Sequence, residues 1–203
     1  MDNDSKNKHI MKKFRIKSAV DNLPYACTQK VKRENLGDIY KDFGYKVGAE
    51  IGVHKGHHAK VMFDKNPDMK LYGIDPYIQY MLGPKVRRTK KMQKRIFEYA
   101  KKYLEGCNIE FVRKTSMDAL NDFEDKSLDF VYLDGDHQFD YVMTDLIFWN
   151  RKVKPGGIVA LHDYCHFHWS GIIRAVDAFV YCHDIRPWFI TKESKPTVFW
   201  VKP

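Results

Sequence analysis

A chain of 203 residues with 44% hydrophobic and 14% aromatic content can bury one substantial core and is too short for two comfortable domains. Lys and Arg total 35 against 26 Asp and Glu, a formal charge of +9, which favours anionic partners such as nucleotides, phosphates or nucleic acid. No apolar run approaches the roughly 18 residues of a membrane helix, and Met1 to Lys13 is polar and charged, without a signal-peptide core.

The cysteines, Cys27, Cys107, Cys165 and Cys182, are widely spaced and form no C-x-x-C pair. This is unlike a disulfide framework or a zinc ribbon, and it leads to the expectation of reduced thiols in a soluble, cytoplasmic protein. Residues 1–34 are polar and basic without a sustained period, and are expected to be a tail or an edge cover. From residue 35 the pattern changes, so residues 35–203 are expected to form the domain. Asn35 to Phe43 puts Leu36, Ile39, Tyr40 and Phe43 on one helical face, and Gly44 stops it.

Short apolar runs then alternate with helical patterns. Lys46 to Ile51, Leu71 to Ile74, Ile109 to Val112, Leu128 to Leu133 and Gly157 to Leu161 read as strands. Phe139 to Asn150 carries Phe139, Val142, Met143, Leu146 and Trp149 at helical spacing; Ser170 is a candidate cap for a helix burying Ile172, Ile173, Val176, Phe179 and Val180. Such alternation specifies a doubly wound α/β fold, a mostly parallel sheet with helices on both faces. Trp188 to Thr191 and Thr197 to Val201, split by the polar Lys192 to Pro196, predict a closing antiparallel hairpin.

The strand ends carry the chemistry. Val47-Gly48-Ala49-Glu50-Ile51-Gly52-Val53-His54-Lys55-Gly56 is a strand running into an acidic residue and a glycine-bearing turn. Gly52 and Gly56 let the backbone approach a ligand closely, at the strand end where open α/β sheets bind nucleotides. The complete G-x-G-x-x-G fingerprint of dinucleotide sites is missing. Leu71-Tyr72-Gly73-Ile74-Asp75-Pro76 is a second strand ending in a carboxylate, which can accept both hydroxyls of a ribose; the plainer reading of Asp75 is a turn residue. The third strand leads to Thr115-Ser116-Met117-Asp118, where an adenine ring would lie beside the sheet, although Ser116 is also a candidate cap for the helix carrying Ala119 and Leu120.

With these residues in view, the chain resembles the class I S-adenosylmethionine-dependent methyltransferases, above all the group with the macrocin-type and cephalosporin-tailoring O-methyltransferases. The resemblance is carried by Glu50 to Gly56, Gly73-Ile74-Asp75-Pro76, Leu128 to His137 with its Asp134-Gly135-Asp136-His137, and Val153-Lys154-Pro155-Gly156-Gly157-Ile158 running on to His162-Asp163-Tyr164. It covers roughly Lys46 to Pro203 and implies a Rossmann-like fold of seven strands. It also implies a donor site made by Glu50, Gly52, Val53, Gly56, Asp75, Pro76, Ser116, Met117 and Asp134, with Glu50 on the methionine amino group and Asp75 on the ribose.

Asp134 and His137 are the catalytic candidates that the resemblance implies, His137 standing where relatives keep a general base. Imidazole exchanges protons near neutral pH. The plainer reading is that both groups organise the donor loop through hydrogen bonds. Several relatives bind a divalent ion at the places of Asp134, His162 and Asp163. Carboxylates suit magnesium, which would lower the pKa of a bound hydroxyl. His162 departs from the oxygen ligand found in those relatives. Two alternatives follow: a softer ion such as manganese or zinc, or no ion at all.

Other clusters carry less. The spacing of His162, Cys165, His166 and His168 fits no structural zinc motif. His54, His57 and His58 flank the glycine turn, as pocket or as surface. Lys85 to Lys102 has helical period, with Val86, Met92, Ile96, Tyr99 and Tyr103 as an apolar face and many cations, either a solvated face or a phosphate-binding stripe. The expected function is methyl transfer to a small hydroxylated acceptor, a sugar or natural-product intermediate, with metal assistance optional. The rivals are a noncatalytic S-adenosylmethionine-binding subunit, an RNA-directed methyltransferase using the basic helix, and a nicotinamide-dependent enzyme. The segments expected to form the lid and acceptor pocket, Tyr77 to Thr89, His166 to Gly171 and the N-terminal segment, carry no readable code.

Overall fold

The structure, a computed structural model, describes residues 1–16, 25–27, 31–82, 85–165 and 171–203, with backbone alone at 25–27 and between 80 and 87. In chain order the elements are α1 (Asn3–Lys13), β1 (Tyr25–Cys27), a 3₁₀ turn (Arg33–Asn35), α2 (Leu36–Asp42), β2 (Val47–Ile51), α3 (His57–Lys65) and β3 (Lys70–Ile74). A small ribbon, β4 (Tyr80–Leu82) and β5 (Lys85–Arg88), precedes α4 (Lys90–Tyr103) and β6 (Ile109–Val112). The rest comprises α5 (Ser116–Ala119), β7 (Leu128–Leu133), α6 (Phe139–Lys152), β8 (Val153–Leu161), α7 (Ile172–Cys182), β9 (Trp188–Ile190) and β10 (Val198–Val201).

The main sheet runs β1-β9-β10-β8-β7-β2-β3-β6. It is the expected seven-stranded, mostly parallel sheet with the three-residue β1 added beside β9. Only β10 runs against its neighbours, closing the sheet as the expected hairpin with β9. The chain winds outward from β2 through β3 to β6, then returns to lay β7 on the other side of β2. A crevice therefore opens at the carboxyl ends of β2 and β7, the topological switch point where such sheets hold ligands.

Strand alternation divides the core. Ala49, Ile51, Val131 and Leu133 face a layer with Val142, Leu146 and Trp149 of α6 and Val176 and Phe179 of α7. Phe130, Tyr132, Ile158 and Ala160 face Ile39 and Tyr40 of α2 and Met62 and Phe63 of α3. Both faces are thus buried, as parallel sheets require.

Part of the N-terminal segment is the helix α1, capped by the Asp2 side chain accepting from Ser5 N and fixed by Ile10, fully buried in the second layer. The basic stretch is not one helix: β5 takes Lys85 to Arg88, and α4 begins after Thr89, whose hydroxyl accepts from Met92 N. The inward face of α4 is also different. Gln93 and Ala100 are buried, and Phe97 packs on Tyr77 and Phe111, whereas Met92, Tyr99 and Tyr103 are exposed. The side chain of Val86, the Ser170 cap, and His166 and His168 lie outside the described residues; the residue before α7 is Gly171. Among the described residues Cys107, Cys165 and Cys182 are free thiols, and no helix is long and apolar enough to cross a membrane.

Candidate active site

The sheet's hydrogen bonding continues one residue past each strand and so fixes the candidate groups. Gly52 N donates to Ile74 O (2.8 Å), Asp134 N to Ile51 O (2.8 Å), Asp75 N to Val112 O (3.2 Å) and His162 N to Leu133 O (3.0 Å). Gly52, Asp75, Asp134 and His162 consequently form a row along the carboxyl edge, each set by its neighbour's last carbonyl. Gly52 must be glycine there: its φ is +89°, and a Cβ would collide with the Asp134 carbonyl oxygen.

Asp75 closes the glycine turn. Its Oδ2 accepts from His54 N and its Oδ1 from Tyr77 N, both at 2.9 Å, while Tyr77 Oη donates to His54 O at 2.9 Å. Burial raises the Asp75 pKa against these two bonds. Each oxygen keeps a second acceptor site. Burial, then the charges of Arg88 and Lys55, depresses the half-buried His54 to about 4, so this imidazole is neutral at pH 7.

Glu50 is 2% exposed, on the α2 and α3 side of β2. His58 stacks on Tyr132 at 3.7 Å and brings Nδ1 to 3.3 Å from Glu50 Oε1, out of hydrogen-bonding alignment. Glu50 Oε2 has no partner, and burial is the main cause of its raised pKa. A buried carboxylate oxygen without a donor suits a cationic group arriving from outside the chain. Val53 is buried and Pro76 partly buried beside this turn. His57 instead meets the exposed Tyr103 edge-on at 5.1 Å, on the surface.

The third strand delivers Ser116 and Met117. Thr115 caps α5, accepting from Asp118 N, so Ser116 is not the cap. Its hydroxyl accepts from Trp149 Nε1 (2.7 Å) and donates to Asp145 Oδ1. Met117 packs partly buried against the α6 and α7 layer. Asp145, 6% exposed, also lines the small cleft with Asp134, Gly135, His137 and His162. The sequence signal for it was an acid on an apolar stripe: Val142, Asp145, Leu146 and Trp149 share one face of α6.

Burial lifts the Asp145 carboxyl to about 6, more than the Ser116 hydrogen bond lowers it. A carboxyl whose pKa is higher in the folded than in the unfolded chain contributes stability in acid, and that contribution disappears as pH rises through 6. Asp145→Asn keeps an acceptor for Ser116 and cannot ionise. It should match the parent at pH 4 and exceed its stability by about 2–3 kcal/mol at pH 7. Melting curves across that range check this, and a stability difference independent of pH would contradict it.

At the tips of β7 and β8, two carboxylates meet two imidazoles. His137 Nε2 lies 3.7 Å from Asp134 Oδ1 and 3.5 Å from Asp163 Oδ2. His162 Nδ1 lies 3.5 Å from Asp134 Oδ1 and 3.4 Å from Asp163 Oδ1. Burial pushes the Asp134 carboxyl up, but His137 and His162 outweigh it and hold it at about 2. Lys195 Nζ stands 3.6 Å from Asp163 Oδ1. The expected metal set thus converges, with one ligand atom from each of Asp134, His162 and Asp163 within 4.8 Å of the others; Cys165 is not part of it.

The set is not complete as a metal site, because Arg33 Nη1 lies 3.2 Å from His162 Nε2. Guanidinium only donates, so Nε2 is the ring's acceptor and Nδ1 carries the hydrogen in the neutral ring. A metal needs a nitrogen lone pair, and the one facing the carboxylates is taken by that hydrogen. In that tautomer the set does not suit a divalent ion, although His162 Nδ1 and Asp163 Oδ1 are both buried without a hydrogen-bond partner. Arg33 was invisible in the sequence because it lies in the segment without periodicity.

Residues 49–164 match the model of a methyltransferase domain family, more than half of the chain. A protein of Acanthamoeba polyphaga mimivirus, itself uncharacterised, is 27% identical over 143 residues, 68% of this chain and 59% of that one. A Sinorhizobium fredii protein is 40% identical over 52 residues, 26% of this chain and 6% of its own length. The chain thus spans less than two thirds of the length of these relatives. Among solved structures, a protein described as a caffeoyl-CoA O-methyltransferase from Staphylococcus aureus superposes with a TM-score of 0.61 at 11% identity, covering 96% of this chain and 90% of that one. The O-methyltransferase NovP gives 0.60 at 14%, covering 84% and 77%. At such identities these likenesses establish the fold. The match over residues 49–164 goes further: the chain belongs to the methyltransferase domain family.

Proposed function

We propose that the protein transfers the methyl group to a hydroxyl of a small acceptor, of sugar or natural-product type, held over the tips of β7 and β8. The observation that carries this reading is His137, its Nε2 facing the carboxylates of Asp134 and Asp163 at a cleft beside the donor row. Two carboxylates on Nε2–H leave the basic lone pair on Nδ1. The O-methyltransferases among the structural neighbours support the choice of oxygen as acceptor.

The donor's chemistry is an electrophilic sulfonium methyl, whose carbon–sulfur pair returns to sulfur as the new bond forms. The chain's own residues do the rest. Glu50 Oε2 is the candidate partner of the methionine ammonium, Asp75 of the ribose hydroxyls, and the Ser116–Met117 turn, held by Trp149 and Asp145, borders the adenine. His137 Nδ1 takes the acceptor's hydroxyl proton, and the oxygen's pair then forms the bond to carbon. Asp134 and Asp163 hold the resulting imidazolium. Catalysis comes mainly from alignment and proton removal.

Calorimetry with S-adenosylhomocysteine tests the donor half, with one saturable site per chain expected; no heat at millimolar ligand would refute it. Release of S-adenosylhomocysteine in the presence of hydroxylated small molecules tests the acceptor half. An RNA acceptor is the second reading. It is favoured by the exposed, stacked Tyr99 and Tyr103 (5.7 Å), with Lys55 5.8 Å from the Tyr99 ring, beside the exposed Lys91, Arg95 and Lys102. RNA binding that falls steeply with salt would mark that alternative.

A further inference from the structure

We propose that Arg33, acting through His162, takes the place of a divalent cation at the tips of β7 and β8, so that the carboxylates of Asp134 and Asp163 are compensated from within the chain. The inference rests on the methyl-transfer reading only for its catalytic meaning; the arrangement itself is a matter of contacts. Guanidinium is always charged and cannot accept a hydrogen bond. Its contact with Nε2 at 3.2 Å fixes the direction of the whole chain of groups. Nε2 accepts and Nδ1 carries hydrogen, 3.5 and 3.4 Å from oxygens of Asp134 and Asp163 but out of hydrogen-bonding alignment with either.

Arg33 is a built-in element. Its backbone N donates to Glu193 Oε1 at 2.8 Å, and Lys192 N donates to Val31 O at 2.8 Å, tying the 3₁₀ turn to the β9–β10 hairpin. The same hairpin contributes Lys195, 3.6 Å from Asp163. Arg33 and Lys195 are thus carried on segments hydrogen-bonded to each other. A divalent ion between the carboxylates would face an N–H where it needs a lone pair, with a guanidinium directly behind the ring. The two arrangements exclude each other at His162. Arg33 is accordingly a positioning residue: it fixes the tautomer of His162.

The test uses the full chain after chelator treatment. Titration with Mn²⁺, followed by the paramagnetic resonance of the free ion, should show no stoichiometric site in the parent. Arg33→Met removes the donor, frees the ring to present a lone pair at Nδ1, and should raise Mn²⁺ affinity by about 10- to 100-fold. Long-range ¹H–¹⁵N spectra of the parent should show His162 as the Nδ1–H tautomer, a readout that needs no variant. A one-to-one Mn²⁺ site in the parent that is lost in Asp163→Asn, an Nε2–H tautomer, or an Arg33→Met protein that folds and binds no more tightly than the parent would each overturn the proposal. S-adenosylhomocysteine calorimetry on the same samples separates a failure here from a failure of the donor reading, since neither metal titration nor tautomer depends on the donor.

Discussion

Asp75→Ala should weaken S-adenosylhomocysteine binding by about 100- to 1,000-fold. Hydrogen bonds to an ionised group are worth about 1.5–3 kcal/mol each, and two ribose hydroxyls on one carboxylate bring the loss to about 3–4 kcal/mol once non-additivity is allowed for. The variant also leaves His54 N and Tyr77 N without their acceptor, loosening the turn between Gly52 and Gly56. The fold should survive with a melting temperature lower by several degrees, because these amides sit at the rim of the sheet and not in either core layer. The pH dependence has a definite sign. Burial raises the Asp75 pKa, and the ionised form is the one that accepts from the ribose, so parental affinity should decline as the solution is acidified toward that pKa. Isothermal calorimetry at several pH values checks both parts. Affinity unchanged in Asp75→Ala would remove the ribose assignment, and an acid decline that persisted in the variant would assign it to another group.

The parts of this architecture that sequence made legible share a physical cause. A strand buried on both faces is a short apolar run, and a functional group at its tip is a polar residue breaking that run; Glu50, Asp75, Asp134 and His162 all stood out in this way. Where burial is sparse the signal fades. The helix α1 inserts Ile10 as its one fully buried residue, too little to impose a period on a charged segment. In α4 periodicity grouped Met92, Tyr99 and Tyr103 correctly on one face, but the helix turns its Gln93 and Ala100 side inward. A moment reports which residues share a face, and the partner surface decides which face is covered. Arg33 and Asp145 were missed for opposite reasons. Arg33 reaches the site from residues distant in sequence, and its role exists only through contact with His162. Asp145 was within an element read correctly, as the one acid on a stripe of apolar positions, and its meaning needed Ser116 and Trp149 brought together by the fold.

His137→Ala should lower kcat by about 100- to 10,000-fold, the span associated with losing a positioned general base, while leaving the donor affinity within about twofold of the parent, as expected for a transition-state interaction. The separation of the two quantities is the point of the experiment. His137 holds the start of α7 through its backbone, whose carbonyl accepts from Gly171 N at 2.8 Å, and that bond is indifferent to the side chain. If the imidazole merely organised the donor loop, its removal would change S-adenosylhomocysteine affinity and spare turnover at saturating donor. If Nδ1 accepts the hydroxyl proton, turnover falls and donor binding holds. His137→Gln sharpens the comparison, because its amide can still donate toward Asp134 and Asp163 but takes up no proton near neutrality. Activity recovered in the glutamine variant would make the residue an orienting group, and equal loss in both would make proton transfer its contribution to the reaction.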